Sequence, residues 1–325
     1  MITIGPSNLL EDTYAEAFKG IFIRILVTRC IDIDDKDRTN PFIERDPLRL
    51  AAYRSTATPS VVVNRIEGGI EGWIDKKDTP DGNDGVVLQF WKSYDKKKSI
   101  KDQLNDFFWE VSIRIRQDIL SVPFTRIFDW FDWNERDSKI SKEAGIIDTE
   151  EFVGRCGGGY EYFSNEYGRD VINIPLMMGY DFKIDRYLRC GIGVSGGNLW
   201  YFCDTLKAGW DVAISSIEAI KDVVGVITPF YTCPSGSMPA NYPPIGPPTN
   251  YPYCPTLKDK CKSDVPDGVR SIPEIVINGI TEEAVKEAMK KAITAIRNKK
   301  GLLKISAGNY NGRLGDYKIY LKDLV

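Results

Sequence analysis

Apolar residues Val285, Ala288, Met289, Ala292, Ile293 and Ile296 recur at three- and four-residue spacing, the repeat of a single buried helix face. Thr281 offers an N-cap oxygen, and Glu282 and Glu283 place negative charge on the first turn. Lys299 and Lys300 complement the opposite end of the dipole before Gly301 stops the helix. Ahead of it lies a β-branched run, Ile275 to Ile277, with the carboxylate of Glu274 directly beside it. Behind it, Leu302 to Ser306 reads as another strand. The unit is strand, crossover helix, strand, with a carboxylate at its apolar entrance.

The same reading extends along the chain. Tyr14, Ala17, Phe18, Ile21 and Ile25 are spaced as a helix face that passes into a branched run toward Val27. Val61 to Val63 and Val86 to Phe90 predict strands, separated by a Gly68–Gly69 turn and a long turn from Asp78 to Gly85. Ser99 and Asp102 open a helix carrying Leu104, Phe107, Phe108, Val111 and Ile115 on one side. Residues 31–59 are charged and proline-punctuated, with a short helix near Leu48 to Ala52. Further on come a strand from Val171 to Met178, an aromatic strand from Leu199 to Phe202, and a helix from Trp210 to Val223. Repeated strand–helix–strand passages predict an α+β fold of two similar lobes of ferredoxin-like (split βαβ) type, 1–149 and 150–325. No close sequence repeat relates the two halves. Residues 231–255 hold eight of the eighteen prolines and read as an extended surface loop.

Composition narrows the chemistry. With 42% hydrophobic and 27% charged residues, the 325-residue chain is globular in type. A net charge of −3 advertises no basic surface to nucleic acid. No apolar run approaches the roughly 18–20 residues that span a bilayer, and the N-terminus lacks a basic-then-apolar signal pattern. These features lead to the expectation of a cytoplasmic protein without membrane partners. The seven cysteines include no Cys-x-x-Cys pair and are expected to be free thiols, with no metal site. Histidine is absent altogether. Ser-His-Asp and Cys-His nucleophile systems are therefore excluded, and proton transfer must fall to a carboxylate, tyrosine, lysine or cysteine.

Glu274 is the candidate acid or base, because a carboxyl beside an apolar strand loses hydration and its pKa rises toward the working range. Its bland counterpart is an exposed carboxylate at a strand end. The glycine pairs Gly158–Gly159 and Gly196–Gly197 either bring backbone N–H groups to a ligand or form tight turns. Asn198 follows the second pair. Asn309 and Tyr310 are either hydrogen-bonding groups for a substrate or members of a turn that satisfies its own backbone. The aromatic stretch 124–134 reads as core packing, with a subunit contact as the alternative; Asp129 and Asp132 within it suggest no chemistry.

Short blocks recur in order over nearly the whole chain: EDTYAEAF (Glu11–Phe18), TPDG (Thr79–Gly82), GGGYE (Gly157–Glu161), GVSGGN (Gly193–Asn198), GVITPF (Gly225–Phe230), CPTLK (Cys254–Lys258) and AGNYNGRLGDYKIYL (Ala307–Leu321). Together with 271–300 they resemble the formylmethanofuran:tetrahydromethanopterin formyltransferases. The resemblance implies reversible formyl transfer between two C1 carriers, methanofuran and tetrahydromethanopterin, as in methanogenesis and related one-carbon metabolism, with no tightly bound cofactor. It places Glu274 on the family's catalytic glutamate and makes Gly158, Gly159, Gly196, Gly197, Asn198, Asn309 and Tyr310 candidate substrate contacts. It also implies a homotetramer, with formylmethanofuran dehydrogenase or a formyltransferase/hydrolase complex as further partners. The chain departs from the family in an apparent insertion at 31–59, in the proline-rich loop at 231–255, and at Gly158, where the family often has an acidic residue. These departures motivate the alternative, a non-catalytic paralogue that keeps the fold and binds a partner or a pterin-like ligand.

Overall fold

The computed structural model describes residues 1–5, 9–31, 46–61, 64–131, 142–234, 236 and 249–325. In the first half the elements are β1 (Ile2–Thr3), β2 (Leu9–Leu10), β3 (Tyr14–Arg29), α1 (Pro47–Thr56), β4 (Glu67–Ile74), β5 (Gly85–Ser93), α2 (Ile100–Arg114), β6 (Thr125–Asp129) and β7 (Lys142–Asp148). The second half adds α3 (Thr149–Phe152), β8 (Tyr162–Glu166), β9 (Arg169–Leu176), β10 (Tyr180–Asp185), β11 (Tyr187–Cys203), α4 (Leu206–Ile220), β12 (Val226–Ile227), β13 (Glu274–Gly279), α5 (Glu282–Ile296), β14 (Leu302–Ser306) and β15 (Tyr317–Tyr320). Much of the predicted insertion and proline-rich loop, the strand at Val62–Val63 and Asp132 lie outside the described residues.

Two compact units emerge, Met1–Gly20 with Gly193–Val325, and Ile21–Ile192. The division falls inside β3 and β11 and differs from a single cut at 149/150. Strand pairing explains the difference. Residues 9–10 join β14 in parallel and Tyr14–Ala17 pair with β15, so the N-terminus belongs with the C-terminal part of the chain. Conversely, β10 pairs with β6 and carries β9 and β8 with it.

In the discontinuous unit, β11, α4, β12, β13, α5 and β14 follow one another, and the strands pair in the order β14–β11–β13–β12, each neighbour antiparallel. Period-two alternation sorts the side chains. Leu199, Tyr201, Ile275 and Ile277 share a core with Val212, Ala213 and the α5 residues Val285, Ala288, Met289, Ala292, Ile293 and Ile296. Trp200 and Phe202 pack instead with Val265 and Val269. The capping oxygen of Thr281 accepts from Ala284 N at 3.1 Å, as the sequence predicted.

The continuous unit repeats the succession: β3, α1, β4, β5, α2, β6, with strand order β4–β5–β3–β6. Its core joins Ile21, Ile23 and Ile25 of β3 to Leu48 and Ala52 of α1 and to Leu104, Phe107 and Val111 of α2. The segment from Tyr14 to Ile25, predicted as a helix, is strand throughout. From Gly20 to Arg29 every residue is buried, so no polar alternation marks it as a strand. Phe128, Trp130 and Phe131 are buried, which makes the described part of the aromatic stretch core. Asp129 is buried among them, accepting from Arg189 N at 3.0 Å and Arg189 Nε at 2.6 Å.

Candidate active site

Glu274 opens β13 with its Cα paired across the sheet to Trp200, so the two side chains leave the same face. Its backbone is fixed by Cys233. Cys233 N donates to Glu274 O at 2.8 Å, and Glu274 N donates to Cys233 O at 3.0 Å. Thr232 Oγ1 adds a third bond to Glu274 O at 3.0 Å. The carboxyl accepts from Trp200 Nε1 at 2.9 Å and from the Cys233 thiol. Burial pushes the Glu274 carboxyl above the ordinary carboxylate range, and the indole and thiol offset that rise only in part. Both partners are neutral, so no formal positive charge in this hydrogen-bond set favours the ionised form.

A cavity of about 520 Å³ opens beside this carboxyl. Trp200, Trp210 and Tyr253 form aromatic walls, and Pro255 and Thr256 of the CPTLK block contribute to the lining. Arg270 is the one cationic side chain among the described lining residues. Trp200 is held edge-to-face against Tyr253, with ring centroids 4.9 Å apart. Such a cavity suits a planar, partly apolar ligand, with Glu274 as the carboxyl among its described lining residues.

The remaining predicted residues lie around this site to different degrees. Gly196 and Gly197 form a bulge inside β11 rather than a turn: the register with β13 shifts between Val194 and Gly197, and Gly196 has φ +80°. Gly196 N donates to Asn278 Oδ1 at 2.9 Å. At Gly197 an added Cβ would come within 2.6 Å of Val285 Cγ1, so the glycine permits close docking of α5. Asn198 is buried, and its amide donates to Gly308 O at 3.2 Å and to Gly196 O at 3.3 Å. Asn309 Nδ2 donates to Thr13 Oγ1 at 3.0 Å. The Tyr310 ring lies 6.2 Å from that of Phe18. Gly158 and Gly159 belong to the other unit, at φ +64° and +91°, with Gly159 N donating to Glu161 Oε2 at 2.8 Å. Neither lines the cavity at Glu274.

Sequence reasoning missed Trp200, Cys233 and Glu16. The first two touch Glu274. Glu16 is buried beneath the 310–315 loop, where its carboxylate accepts from Tyr310 N at 2.6 Å, Gly312 N at 3.0 Å, Leu314 N at 2.7 Å and Gly315 N at 2.5 Å. Burial pulls its pKa up, but the four backbone donors together hold it below the ordinary value. A carboxylate in EDTYAEAF was the available signal, yet nothing local ties it to a loop about 300 residues away.

Fold and site together define an α+β protein with a desolvated carboxyl in an aromatic-walled cavity, an arrangement suited to acyl transfer with proton exchange. The model of the family "Formylmethanofuran-tetrahydromethanopterin formyltransferase" matches residues 7–176, and that of "FTR, proximal lobe" matches residues 180–324. The chain belongs to the formylmethanofuran–tetrahydromethanopterin formyltransferase family. It is 44% identical to a formyltransferase-like protein of Archaeoglobus fulgidus over 97% of this chain and 96% of that protein. Identity to the formyltransferase of Methanocaldococcus jannaschii is 34%, covering 97% of each. The solved structure of the formyltransferase of Methanosarcina barkeri superposes with a TM-score of 0.83 at 30% identity, over 100% of both chains. A chain of the formyltransferase/hydrolase complex of Methylorubrum extorquens, determined with methylofuran, superposes with a TM-score of 0.80 at 28% identity, covering 97% of this chain and 96% of that one. Among the described residues, no helix is long and apolar enough to cross a membrane.

Proposed function

We propose that this protein moves a formyl group reversibly between formylmethanofuran and N5 of tetrahydromethanopterin, with Glu274 as the proton-handling residue. The observation that carries the reading is the desolvated Glu274 carboxyl at the wall of the aromatic cavity. In the forward direction N5 attacks the formyl carbon, and the new C–N bond raises a tetrahedral oxyanion. The bond to the methanofuran nitrogen then breaks. One proton leaves N5 and one reaches the departing amine, so a single carboxyl that gives and regains a proton balances the step. Neutral Glu274 also donates a hydrogen bond to the oxyanion.

Gly197 and Asn198 support this reading as scaffold beside the site, whereas Gly158, Gly159, Asn309 and Tyr310 are proposed as contacts for parts of the carriers beyond the reacting atoms. The carriers are substrates, and no tightly bound cofactor is required. The order β–α–β–β–α–β in both units, with the fourth, first, third and second strands adjacent in that sequence, supports two ferredoxin-like split βαβ lobes. A cytoplasmic homotetramer completes the proposal, with formylmethanofuran dehydrogenase or a formyltransferase/hydrolase assembly as a partner.

A second reading is favoured by one observation. Four relatives at 40–44% identity are named formyltransferase-like proteins, whereas four named formyltransferases stand at 32–34%. A paralogue that binds a pterin-like ligand without transferring formyl fits that ordering. The test is formyl transfer by purified protein, wild type beside Glu274→Gln, with N5-formyl product followed optically. Turnover by wild type and a loss of at least roughly 100-fold in the variant support the proposal. Equal turnover removes the role of Glu274, and a folded but inactive wild type favours the paralogue.

A further inference from the structure

Two features of the sequence, the glycine bulge ending in Asn198 and the AGNYNG loop, meet behind Trp200, a wall of the cavity. An added Cβ on Gly308 would stand 3.0 Å from Trp200 Cζ2, so the indole occupies space that any side chain at 308 would claim. Asn198 holds Gly308 from both sides: Asn198 Nδ2 donates to Gly308 O at 3.2 Å, and Gly308 N donates to Asn198 Oδ1 at 2.5 Å. Glu16 N donates to the same carbonyl at 3.2 Å. Tyr253 closes the other side of the indole, and Trp200 is only 9% exposed.

We propose that Trp200 is a positioning residue for Glu274, seated by Gly308 and Asn198, which fixes Oε1 as an acceptor and leaves Oε2 to carry the exchangeable proton. The inference rests on the formyl-transfer reading of this cavity. Its physical basis is that an indole N–H only donates. With Oε1 held at 2.9 Å from that donor, a neutral carboxyl carries its proton on the other oxygen. The Cys233 thiol, which can turn to donate or to accept, does not reverse that order, and the carboxyl plane cannot rotate to exchange the oxygens without breaking the indole bond. Preorganisation of this kind removes a search that would otherwise precede each proton transfer. It also gives Asn198 and Gly308 a function at the reacting centre although neither lines the cavity.

Trp200→Phe keeps an aromatic body and deletes the N–H. Removing a donor to the charged form raises the Glu274 pKa further, so the limb of the kcat–pH profile that it governs moves up by roughly one pH unit. At neutral pH kcat falls roughly tenfold, with little change in KM. Gly308→Ala, which crowds the indole, moves both quantities in the same direction. A 13C NMR titration of the Glu274 carboxyl, assigned by its loss in Glu274→Gln, reads the shift without turnover. An unmoved midpoint in folded Trp200→Phe, or a change confined to KM or melting temperature, overturns the proposal. If Trp200→Phe does not fold, Gly308→Ala is judged by the same midpoint criterion. A wild type that transfers no formyl defeats the functional reading alone, because the NMR midpoint still decides whether Trp200 governs Glu274.

Discussion

Replacing Glu16 by glutamine tests how the 308–316 loop is held. The substitution preserves volume but exchanges one carboxylate oxygen for an NH2 group. Each oxygen of Glu16 accepts two backbone N–H groups: Oε1 from Leu314 and Gly315, Oε2 from Tyr310 and Gly312. Whichever way the amide turns, two backbone donors face a donor. Two charge-assisted bonds at roughly 1.5–3 kcal/mol each give a loss of roughly 3–6 kcal/mol. The loop is partly exposed, so water reaches some of the freed N–H groups and the lower end, about 3 kcal/mol, is expected. Urea unfolding followed by circular dichroism measures the difference, and faster amide exchange confined to 310–315 would localise it. The pH dependence has a definite sign. Because the folded-state pKa lies below the ordinary value, the stabilisation is complete above that ordinary value and is lost as pH falls through the folded one. Glu16→Gln should therefore unfold with less acid-side dependence than wild type. A variant within about 0.5 kcal/mol of wild type, a span typical of neutral surface changes, would refute the reasoning.

Gly197→Ala should destabilise by about 1–3 kcal/mol, because its Cβ would press on the buried Val285; Gly72→Ala, where nothing lies within 4 Å, is the near-neutral control in the same denaturation assay. Burial pushes the Asp185 carboxyl up to about 6, against a partial opposing pull from Arg169. Raised in the folded state, it contributes fully below its ordinary 3.8 and loses that contribution as pH rises to about 6. Calorimetric stability measured across that window should decline by an amount on the order of 3 kcal/mol, and Asp185→Asn should flatten the decline. Thr281→Ala removes the α5 cap bond to Ala284 N and should cost about 1 kcal/mol in the same measurement.

How far the sequence could be read depended on how many faces of each element are buried. The six predicted core positions of α5 are all buried, because a helix with one apolar face writes its orientation into three- and four-residue spacing. The same logic failed at β3, whose Ala15–Ala17 and Gly20–Arg29 stretches are buried without a period-two pattern. Glu274 was legible from its neighbours Ile275 and Val276. Its partners were not. The pairing of Trp200 with Glu274 is a matter of register across 74 positions, and a bulge at Gly196 resets that register within β11. The glycines of GVSGGN were recognisable as special backbone, but whether they made a turn or a bulge depended on a strand nearly 80 residues away.

The two units also surround their strand glutamates with different partners. Both arrange six elements in the same order, and each places a glutamate among its strands. In the continuous unit Glu71 of β4 receives Arg24 Nε at 2.7 Å and Gln89 Nε2 at 2.6 Å, and it forms a salt bridge with the same guanidinium. A nearly buried carboxylate held through both oxygens by one guanidinium is a structural ion pair. In the discontinuous unit Glu274 receives an indole N–H and a thiol. Those donors orient the carboxyl without supplying charge, so gaining a proton strands nothing. The side of the sheet matters as well: α4 and α5 cover the Ile275–Ile277 face, which leaves the Trp200 side for a cavity. Repeating one frame therefore does not repeat its hydrogen-bond partners: a guanidinium holds the glutamate of one unit and neutral donors hold that of the other.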